Sequence, residues 1–420
     1  MRKILLLILV AVFAAVGFGQ NPPAVMDVSN YGVKIDPDKR LLVVLAALEM
    51  ARTKNDAGQD VKLINTALSE KGSLFRERLM QDMAGMNEDL RQRISVFVTQ
   101  YKKRRPNATD AEIVSPFISM AYTLSPAPEM ADPAYTADLP GTLLDVLDFA
   151  PLAREFYRRS GISGKLDEYV RYYQAEADRT LRSSTREMVS DLLNYMHTRP
   201  EIYYSEKVKI ETQKAKSKST VLQKVETRDY ERRFFVVPEM LAPAGNIIFL
   251  NVKDDYYLVL PPDKDLSNTD ARRAFLQFVI DPLVLKQSKD IALIREQIKL
   301  LLDERRKSDP SISPDVFLTV SRSLVSAIDA RQIEFTRSQI ATAQAREKIG
   351  TMKTDPEKRA VSAELERQKS ILADETALML SEAYEHGAVM AFYFADQLKG
   401  TEDSGFDIAS SLREMIATFD

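Results

Sequence analysis

The sequence predicts an α+β protein that is predominantly α-helical, with a small, mostly antiparallel sheet between an N-terminal and a C-terminal helical region. Helical hydrophobic periodicity occupies much of residues 20–200 and returns over residues 266–420. Runs of β-branched and aromatic residues are concentrated in residues 201–265. The chain has 420 residues, of which 45% are hydrophobic, and this is enough to bury a sizeable core. The sequence leaves open whether residues 201–420 form one unit packed on residues 20–200.

Residues 1–19 are typical of a secretory signal peptide. The basic residues Arg2 and Lys3 precede an unbroken apolar run over residues 4–16, and the small residue Gly19 follows. This run is too short to span a bilayer, which needs about 20 apolar residues. We therefore expect an exported protein, periplasmic or extracellular, with a membrane anchor or a buried helix as the alternative. No later apolar stretch is long enough to span a membrane, so no stable span is expected after cleavage.

The composition excludes several classes of metal and redox site. The chain has no cysteine, which excludes disulfides, thiol nucleophiles and cysteine-based zinc sites. Of its two histidines, His197 is predicted to end a helix. The other, His386, has the i, i+4 spacing of a metal-ligand pair with Glu382, but a surface Glu–His pair is the simpler interpretation. The net charge of −3 gives no support for nucleic-acid binding, so no nucleic-acid partner is expected.

The N-terminal region is predicted to consist of helices joined by short loops. Helices are expected at residues 40–51, in a charged segment up to about Lys103, and at residues 143–160 and 166–197, with a proline-containing loop at residues 125–140. The first helix is apolar on nearly every side, so we expect it to be buried. The sequence Gly161-Ile-Ser-Gly164 lacks the strand that precedes a nucleophile elbow, and we interpret it as a helix C-cap.

The middle of the chain is predicted to form the sheet. Residues 208–225 are rich in lysine, and strand-like runs follow at residues 234–237, 246–252 and 256–260. The last two runs are separated by Lys253-Asp254-Asp255, which indicates a hairpin. Helices are then expected at residues 270–287, 290–307, 314–332 and 365–398, and from Phe406. The polar segment 331–369 is predicted to be a solvent-exposed helical hairpin, with a partner-binding coiled coil as the alternative.

Short sequences around the predicted sheet carry a resemblance to a known family. They are Phe235-Val-Val-Pro238, Ala242-Pro-Ala-Gly245, the hairpin, and the segment Ala-Arg-Arg-Ala-Phe-Leu-Gln-Phe-Val-Ile-Asp-Pro at residues 271–282. With the order of helices, sheet and helices, they resemble a secreted bacterial gluzincin-like family, which is similar to zinc metallopeptidases and has no known function. The resemblance covers nearly the whole chain after the signal peptide and implies a gluzincin-like fold.

The resemblance also implies where an active site would lie. In gluzincins a helix carries His-Glu-x-x-His, whose histidines bind zinc and whose glutamate is the general base, and a distal glutamate completes the site. By position, the two histidines fall on Arg273 and Gln277, the base on Ala274 and the distal glutamate on or near Arg322. An arginine stays protonated, and alanine and glutamine cannot replace carboxylate and imidazole. We therefore expect no metal, no cofactor and no catalytic residue.

One polar stripe is predicted on the helix that carries these positions. Its members are Asp270, Arg273, Gln277 and Asp281, while Phe275, Phe278 and Val279 face the core. We hypothesise that Arg273 or Arg322 places a guanidinium group in the vacated metal pocket, where Asp281, Asp270 or Asp329 pairs with it. The alternative is an exposed stripe with an ordinary pair between Asp270 and Arg273.

The sequence favours a non-enzymatic function. We expect an exported binding or scaffolding protein, a catalytically inactive metallopeptidase-like pseudoenzyme, which recognises a peptide or protein segment in the former substrate cleft. An edge strand beside such a cleft can pair with an extended peptide without zinc. Two alternatives stay open. One is a hydrolase that uses unrecognised carboxylates, and the other is an envelope structural or assembly protein that acts through the polar helical pair at residues 331–369.

Overall fold

The computed structural model of the protein is mostly helical, with small sheets, as the α+β prediction requires. It describes residues 26–134, 136, 139, 141–212, 222–245, 247–267, 269–402, 405 and 407–419. The predicted signal peptide, residues 1–19, lies outside the described residues. In the described part of the chain, no helix is both long enough and apolar enough to cross a membrane.

Eight of the described helices precede the main strands. They are α1 (Lys39–Glu49), α2 (Glu70–Asp82), α3 (Glu88–Lys103), α4 (Asp110–Thr123), α5 (Gly141–Leu147), α6 (Ala150–Arg159), α7 (Ile162–Arg179) and α8 (Leu181–Met196). The short strand β1 (Val33–Ile35) precedes α1, and a small hairpin of β2 (Arg52–Lys54) and β3 (Asp60–Lys62) lies between α1 and α2. Helix α1 begins after Asp38, whose carboxylate accepts the first free backbone N–H groups. Its residues 41–49 are all buried, which confirms the prediction of a buried helix.

The later helices of this region are separated at two residues, Gly161 and Thr180. Gly161 follows α6 with a φ of 89°, a left-handed conformation that favours glycine, so the predicted helix cap is confirmed. The single helix predicted over residues 166–197 is wrong, because α7 and α8 meet at Thr180. The hydroxyl of Thr180 donates to the carbonyl of Pro262, and this tertiary contact lies at the break.

The two described ends of the lysine-rich segment 208–225 lie in an antiparallel ribbon of β4 (Tyr203–Thr212) and β5 (Leu222–Glu231). Near its base, the rings of Tyr204 and Tyr230 stack with their centroids 5.1 Å apart. The Tyr204 hydroxyl donates to the carboxylate of Asp254 at 2.7 Å. This bond fixes the base of the ribbon to the next hairpin along the chain.

The central sheet is mixed, so the prediction of a mostly antiparallel sheet is wrong for it. Its strand order is β1–β6–β8–β7, with β6 (Arg233–Pro238), β7 (Ile248–Val252) and β8 (Asp255–Leu260). Strands β7 and β8 form the predicted hairpin, but β6 pairs in parallel with both β1 and β8. The runs in the sequence identify strands but not their partners. Here β1 comes from the distant N-terminal segment, and β7 takes the edge so that β8 returns beside β6.

Seven described helices follow the sheet. They are α9 (Thr269–Lys286), α10 (Ser288–Leu293), α11 (Arg295–Ser308), α12 (Val316–Thr351), α13 (Asp355–Glu385), α14 (Ala391–Thr401) and α15 (Ile408–Ala417). Helices α12 and α13 pack as a long pair whose outer half is mostly exposed, which confirms the predicted helical hairpin. The helix predicted over residues 365–398 is divided, because Gly387 turns the chain with a φ of 92° after α13.

The central sheet lies between two hydrophobic cores. One face, which includes Phe234 and Tyr256, packs with α8 and the C-terminal helices. The other face, which includes Val237 and Val259, packs with α1–α7. Successive side chains of a strand point to opposite faces, so one sheet can serve both cores. Helix α9 lies on the first face, where the ring of Phe278 meets that of Tyr256 edge-on at 5.3 Å.

Candidate functional site

A cleft of about 580 Å³ lies between the tip of the β7–β8 hairpin, the second half of α9 and the first turns of α12. The base of the β4–β5 ribbon borders it as well. Its lining includes Tyr204 from the ribbon, Asn251 from β7, Gln277 and Asp281 from α9, and Phe317 from α12. The volume is in the range of small-ligand pockets, about 300–1,000 Å³.

Four polar residues of the cleft, Arg232, Tyr256, Asp281 and Ser321, form what we call the floor network. The hydroxyl groups of Tyr256 and Ser321 donate to the two oxygens of Asp281, at 2.8 Å and 2.6 Å. Arg232 donates to the Tyr256 hydroxyl at 3.2 Å and to the Phe278 carbonyl at 2.9 Å. Polar groups from β8, α9, α12 and the segment before β6 therefore form hydrogen bonds with one another in the floor of the cleft.

The electrostatics of the floor network are set mainly by burial. Burial raises the pKa of Asp281, and the hydrogen bonds from Ser321 and Tyr256 and the charge of Arg232 oppose the rise. Burial, with the nearby Asp281 carboxylate, also raises the pKa of Tyr256. A carboxyl group with a raised pKa in a cleft is a common mark of a functional site. Both oxygens of Asp281 already accept hydroxyl hydrogen bonds, so the network holds this carboxyl as an internal acceptor.

The mouth of the cleft is apolar. Pro282 and Leu285 of α9 and Phe317 and Leu318 of α12 line it. Leu285 is 64% exposed and Phe317 is 36% exposed, so both present apolar surface beside the opening. Contiguous apolar surface next to a cavity is typical of a binding site.

The charged groups around the mouth are mostly paired within the protein. Lys286 forms an ion pair with Glu201, and Asp254 accepts the hydrogen bond from Tyr204. Lys253 is different: it is exposed at the hairpin tip, with a φ of 59°. In the part of the chain that the structure describes, its ammonium group has no ion-pair or hydrogen-bond partner.

The structure separates the positions that the sequence singled out. Gln277 and Asp281 line the cleft, whereas Ala274 is 3% exposed in the core between α9 and the sheet. Asp270 is exposed at the start of α9. Arg322 is exposed on the outer side of α12 and pairs with none of the three aspartates, so that version of the pairing hypothesis is wrong. The physical reason is the helix periodicity, which turns the neighbouring apolar residues of α12 to the core.

Arg273 pairs with Asp329, one of its three hypothesised partners, at 3.2 Å. Asp329 also accepts a hydrogen bond from Arg272 at 2.7 Å, and Arg272 donates to Gln332 as well. Burial raises the pKa of Asp329, and the two guanidinium groups oppose the rise. None of these residues lines the cleft. The pair therefore joins α9 to α12 and does not fill the pocket, and no pair forms between Arg273 and Asp270.

Sequence reasoning missed Arg272, although the sequence contains a signal for it. Arg272 precedes Phe275 by three residues and Val279 by seven, which places it on the buried face of the helix. An arginine on an apolar face requires a buried acceptor. The other missed residues, Arg232, Tyr256 and Ser321, come from separate parts of the chain, and no local spacing connects them.

The two histidines lie at helix ends away from the cleft. His197 directly follows α8 and is exposed, so its predicted position at a helix end is confirmed. His386 follows α13 in the same way, and its backbone N–H donates to the carbonyl of Glu382 at 3.2 Å. Over the described ranges, no three His, Asp or Glu side chains are grouped so that they could hold a metal ion.

A second unusual carboxyl group, that of Glu239, lies at the end of β6 in the other core. It is 1% exposed, and its Oε1 accepts hydrogen bonds from the Tyr173 hydroxyl at 2.8 Å and the Leu241 backbone N–H at 2.9 Å. Its Oε2 has no partner among the described residues. Burial raises the pKa of Glu239 to about 7. The signal in the sequence was a single acidic residue between two apolar runs.

No protein-family model, curated protein or solved structure matches this chain. The gluzincin-like resemblance therefore stays a proposal that the short sequences within residues 235–282 support.

Proposed function

We propose that this protein is an exported, non-enzymatic binding protein, a catalytically inactive gluzincin-like pseudoenzyme, whose cleft binds an extended segment of a peptide or protein. The observation that carries the proposal is the position of the cleft beside β7, the edge strand of the central sheet. Among the described residues no strand pairs with the outer side of β7, and Asn251 of this strand lines the cleft.

The physics of an edge strand supports this proposal. The outer side of such a strand carries unpaired N–H and C=O groups, to which an extended peptide can add as a further strand. Every second side chain of that peptide would point towards the same face. The apolar mouth around Leu285 and Phe317 would then receive a side chain, so that the backbone provides affinity and the cleft provides selectivity.

The proposal of an inactive enzyme rests on the positions that the resemblance makes catalytic. Arg273 is held by Asp329, Ala274 is buried, and Arg322 lies outside the cleft. Gln277 lines the cleft but offers an amide in place of an imidazole. A hydrolase that used Asp281 would first have to break its hydrogen bonds with the floor network.

The test of peptide binding uses the chain from residue 20 and an array of extended peptides. We expect binding without cleavage, measured by fluorescence anisotropy and by mass spectrometry of the peptides. Leu285→Ser should weaken binding several-fold because it removes apolar surface from the mouth. Leu293→Ser is the matched control, since Leu293 is 83% exposed and does not line the cleft.

Two results would contradict the proposal. Turnover of a peptide together with stoichiometric zinc, measured by elemental analysis of the purified protein, would show an active metallopeptidase. Equal binding by the two leucine variants and the parent chain would place any peptide site elsewhere. Export is tested separately by sequencing the N-terminus of the protein recovered outside the cytoplasm, which we expect to begin after Gly19.

A second candidate is an assembly function through the outer half of α12 and α13. A groove of about 280 Å³ lies on this helix pair. It is lined by Ile340 and Ile371, which are 53% and 51% exposed. Exposed apolar residues on a protruding helix pair are consistent with docking of another protein.

A further inference from the structure

We infer that the cleft selects a peptide segment in which a carboxylate lies next to a large apolar side chain. This inference rests on the peptide-binding function proposed above and adds the chemistry of the ligand. Its basis is the difference between the polar side chains of the cleft that already have hydrogen-bond or ion-pair partners and the one cation that has none among the described residues.

The floor network offers no spare charge to a ligand. Both oxygens of Asp281 accept hydrogen bonds from hydroxyl groups. Arg232 donates to the carbonyls of Glu201 and Phe278 and to the Tyr256 hydroxyl, at 3.1, 2.9 and 3.2 Å. A ligand that reaches the floor therefore meets a closed set of hydrogen bonds, and the apolar mouth makes the main contact with it.

The acidic groups near the mouth are also engaged. Glu201 is paired with Lys286, and Asp254 accepts the hydroxyl of Tyr204. A basic side chain of a ligand would have to compete with these partners. The cleft therefore gives little advantage to a positively charged ligand.

One cation of the cleft lining, Lys253, has no carboxylate partner among the described residues. Lys253 lies in the two-residue turn between β7 and β8, and the other turn residue, Asp254, accepts the hydrogen bond from Tyr204. The exposed ammonium group of Lys253 therefore adds unpaired positive charge to the same lining as Leu285 and Phe317, and a carboxylate can form a charge-assisted hydrogen bond with it.

The inference is tested with fluorescein-labelled peptides that share one extended sequence and differ at their last residues. The first ends in Leu-Phe-Asp-amide, the second in Leu-Phe with a free carboxylate, the third in Leu-Phe-Asn-amide and the fourth in Ala-Ala-Asp-amide. We expect at least one of the first two to bind the chain from residue 20 about 3- to 10-fold more tightly than the third. The first two peptides distinguish a side-chain carboxylate from a C-terminal one. The fourth should bind weakly because it lacks the apolar side chains.

Variants assign the effect to the cation. Lys253→Gln should abolish the advantage of the carboxylate, so that neither carboxylate peptide binds this variant more tightly than the Leu-Phe-Asn-amide peptide does. Lys348→Gln is the control, because Lys348 is exposed in the outer half of α12 and does not line the cleft. Added salt should reduce the carboxylate advantage, since an exposed ion pair is screened.

The possible failures are distinguishable. Equal affinities of the parent chain for the Asp and Asn peptides would overturn the inference and leave peptide binding in place. The same holds if Lys253→Gln weakens the binding of all peptides equally. If none of the four peptides binds, both the inference and the proposed peptide-binding function are wrong.

Discussion

At the end of β6, Glu239 lies between the sheet and α7 with almost no exposure to solvent. Its pKa is raised from an ordinary 4.5 to about 7, chiefly by burial. Because the folded state binds the proton more tightly than the unfolded state, the stabilisation by this proton is complete below about pH 4.5. It is lost as the pH rises through 7, and the loss amounts to about 3 kcal/mol.

We predict that Glu239→Gln removes this loss. Glutamine is neutral and keeps a carbonyl oxygen for the Tyr173 hydroxyl and the Leu241 N–H. The variant should equal the parent chain in free energy of unfolding near pH 4.5 and exceed it by up to about 3 kcal/mol at pH 8, in urea titrations. Asp270→Asn, which changes an exposed carboxyl, is the control. An unchanged pH dependence in Glu239→Gln would contradict the prediction.

The buried contact of Asp329 with two arginines gives a second prediction. Asp329→Asn should lower the free energy of unfolding by about 3 kcal/mol, because it leaves the buried Arg272 without its anionic partner. Arg273→Gln should lower it by less than about 1 kcal/mol, since Arg273 is partly exposed and its bond is longer. Chemical denaturation of both variants measures the difference. Equal losses would contradict the prediction, because the contact with Arg273 would then account for the whole contribution of Asp329.

For single residues, the sequence predicted the helix face on which a side chain lies but not the residues with which it forms hydrogen bonds. The 3-4-4 spacing of the polar stripe correctly separated Gln277 and Asp281 from the core-facing phenylalanines of α9. It could not show that Ser321 and Tyr256 meet Asp281, because these residues are distant in the chain. A buried hydrogen bond depends on which elements pack together, and local spacing carries no information about that.

Among the elements, the α12–α13 pair shows a division between an anchored base and an exposed outer half. At the base, Arg331 is buried and pairs with Glu334 at 2.6 Å and with Glu402 at 2.7 Å. In the outer half, residues 338–372 contribute no side chain to either hydrophobic core. The outer half should therefore be separable from the rest of the fold.

We predict that replacing residues 338–372 by a short Gly-Ser linker leaves the free energy of unfolding within about 1 kcal/mol of the parent value. A short linker can join the two helices at this point because Arg337 of α12 and Glu375 of α13 lie opposite each other, with their charged groups 3.0 Å apart. If the outer half serves assembly, the deletion should abolish co-purification of a partner and leave peptide binding in the cleft intact. Ile340→Lys with Ile371→Lys should have the same effect on assembly while keeping both helices. A deletion variant that fails to fold, measured by circular dichroism, would contradict the prediction.

The same helix pair was predictable from sequence, whereas the sheet was only partly so. Helical periodicity is local, so the polar segment 331–369 indicated its own structure. The hairpin of β7 and β8 was also local, and its turn residues indicated it. The parallel pairing of β6 with β1 joins segments about two hundred residues apart, and nothing in either short run specifies the other.

For the whole molecule, the contact between the N-terminal helices and the sheet includes one close approach of backbone to backbone. A Cβ atom added at Gly72 of α2 would lie 2.2 Å from the backbone oxygen of Met240, just after β6. Because the obstacle is backbone, it cannot rotate away, and α2 would have to move from the sheet.

We predict that Gly72→Ala lowers the free energy of unfolding by about 1–3 kcal/mol. Gly164→Ala, at another helical glycine, should be neutral or raise it by up to about 1 kcal/mol, since nothing lies within 4 Å of the added atom. Thermal or urea unfolding of the two variants gives the comparison. Stabilisation by both alanines would mean that α2 adjusts freely against the sheet.

The sequence by itself determined the helical character of this protein, its buried first helix, the hairpin of the sheet and the exposed helix pair, because each depends on interactions between near neighbours in the chain. Only the tertiary structure decided the mixed sheet, the salt bridge of Arg273 with Asp329 away from the cleft, and the meeting of Tyr256, Asp281 and Ser321 beneath the hairpin. These features depend on contacts between distant segments, and such contacts form only when the two cores pack on the sheet. The cleft beside β7 exists for the same reason.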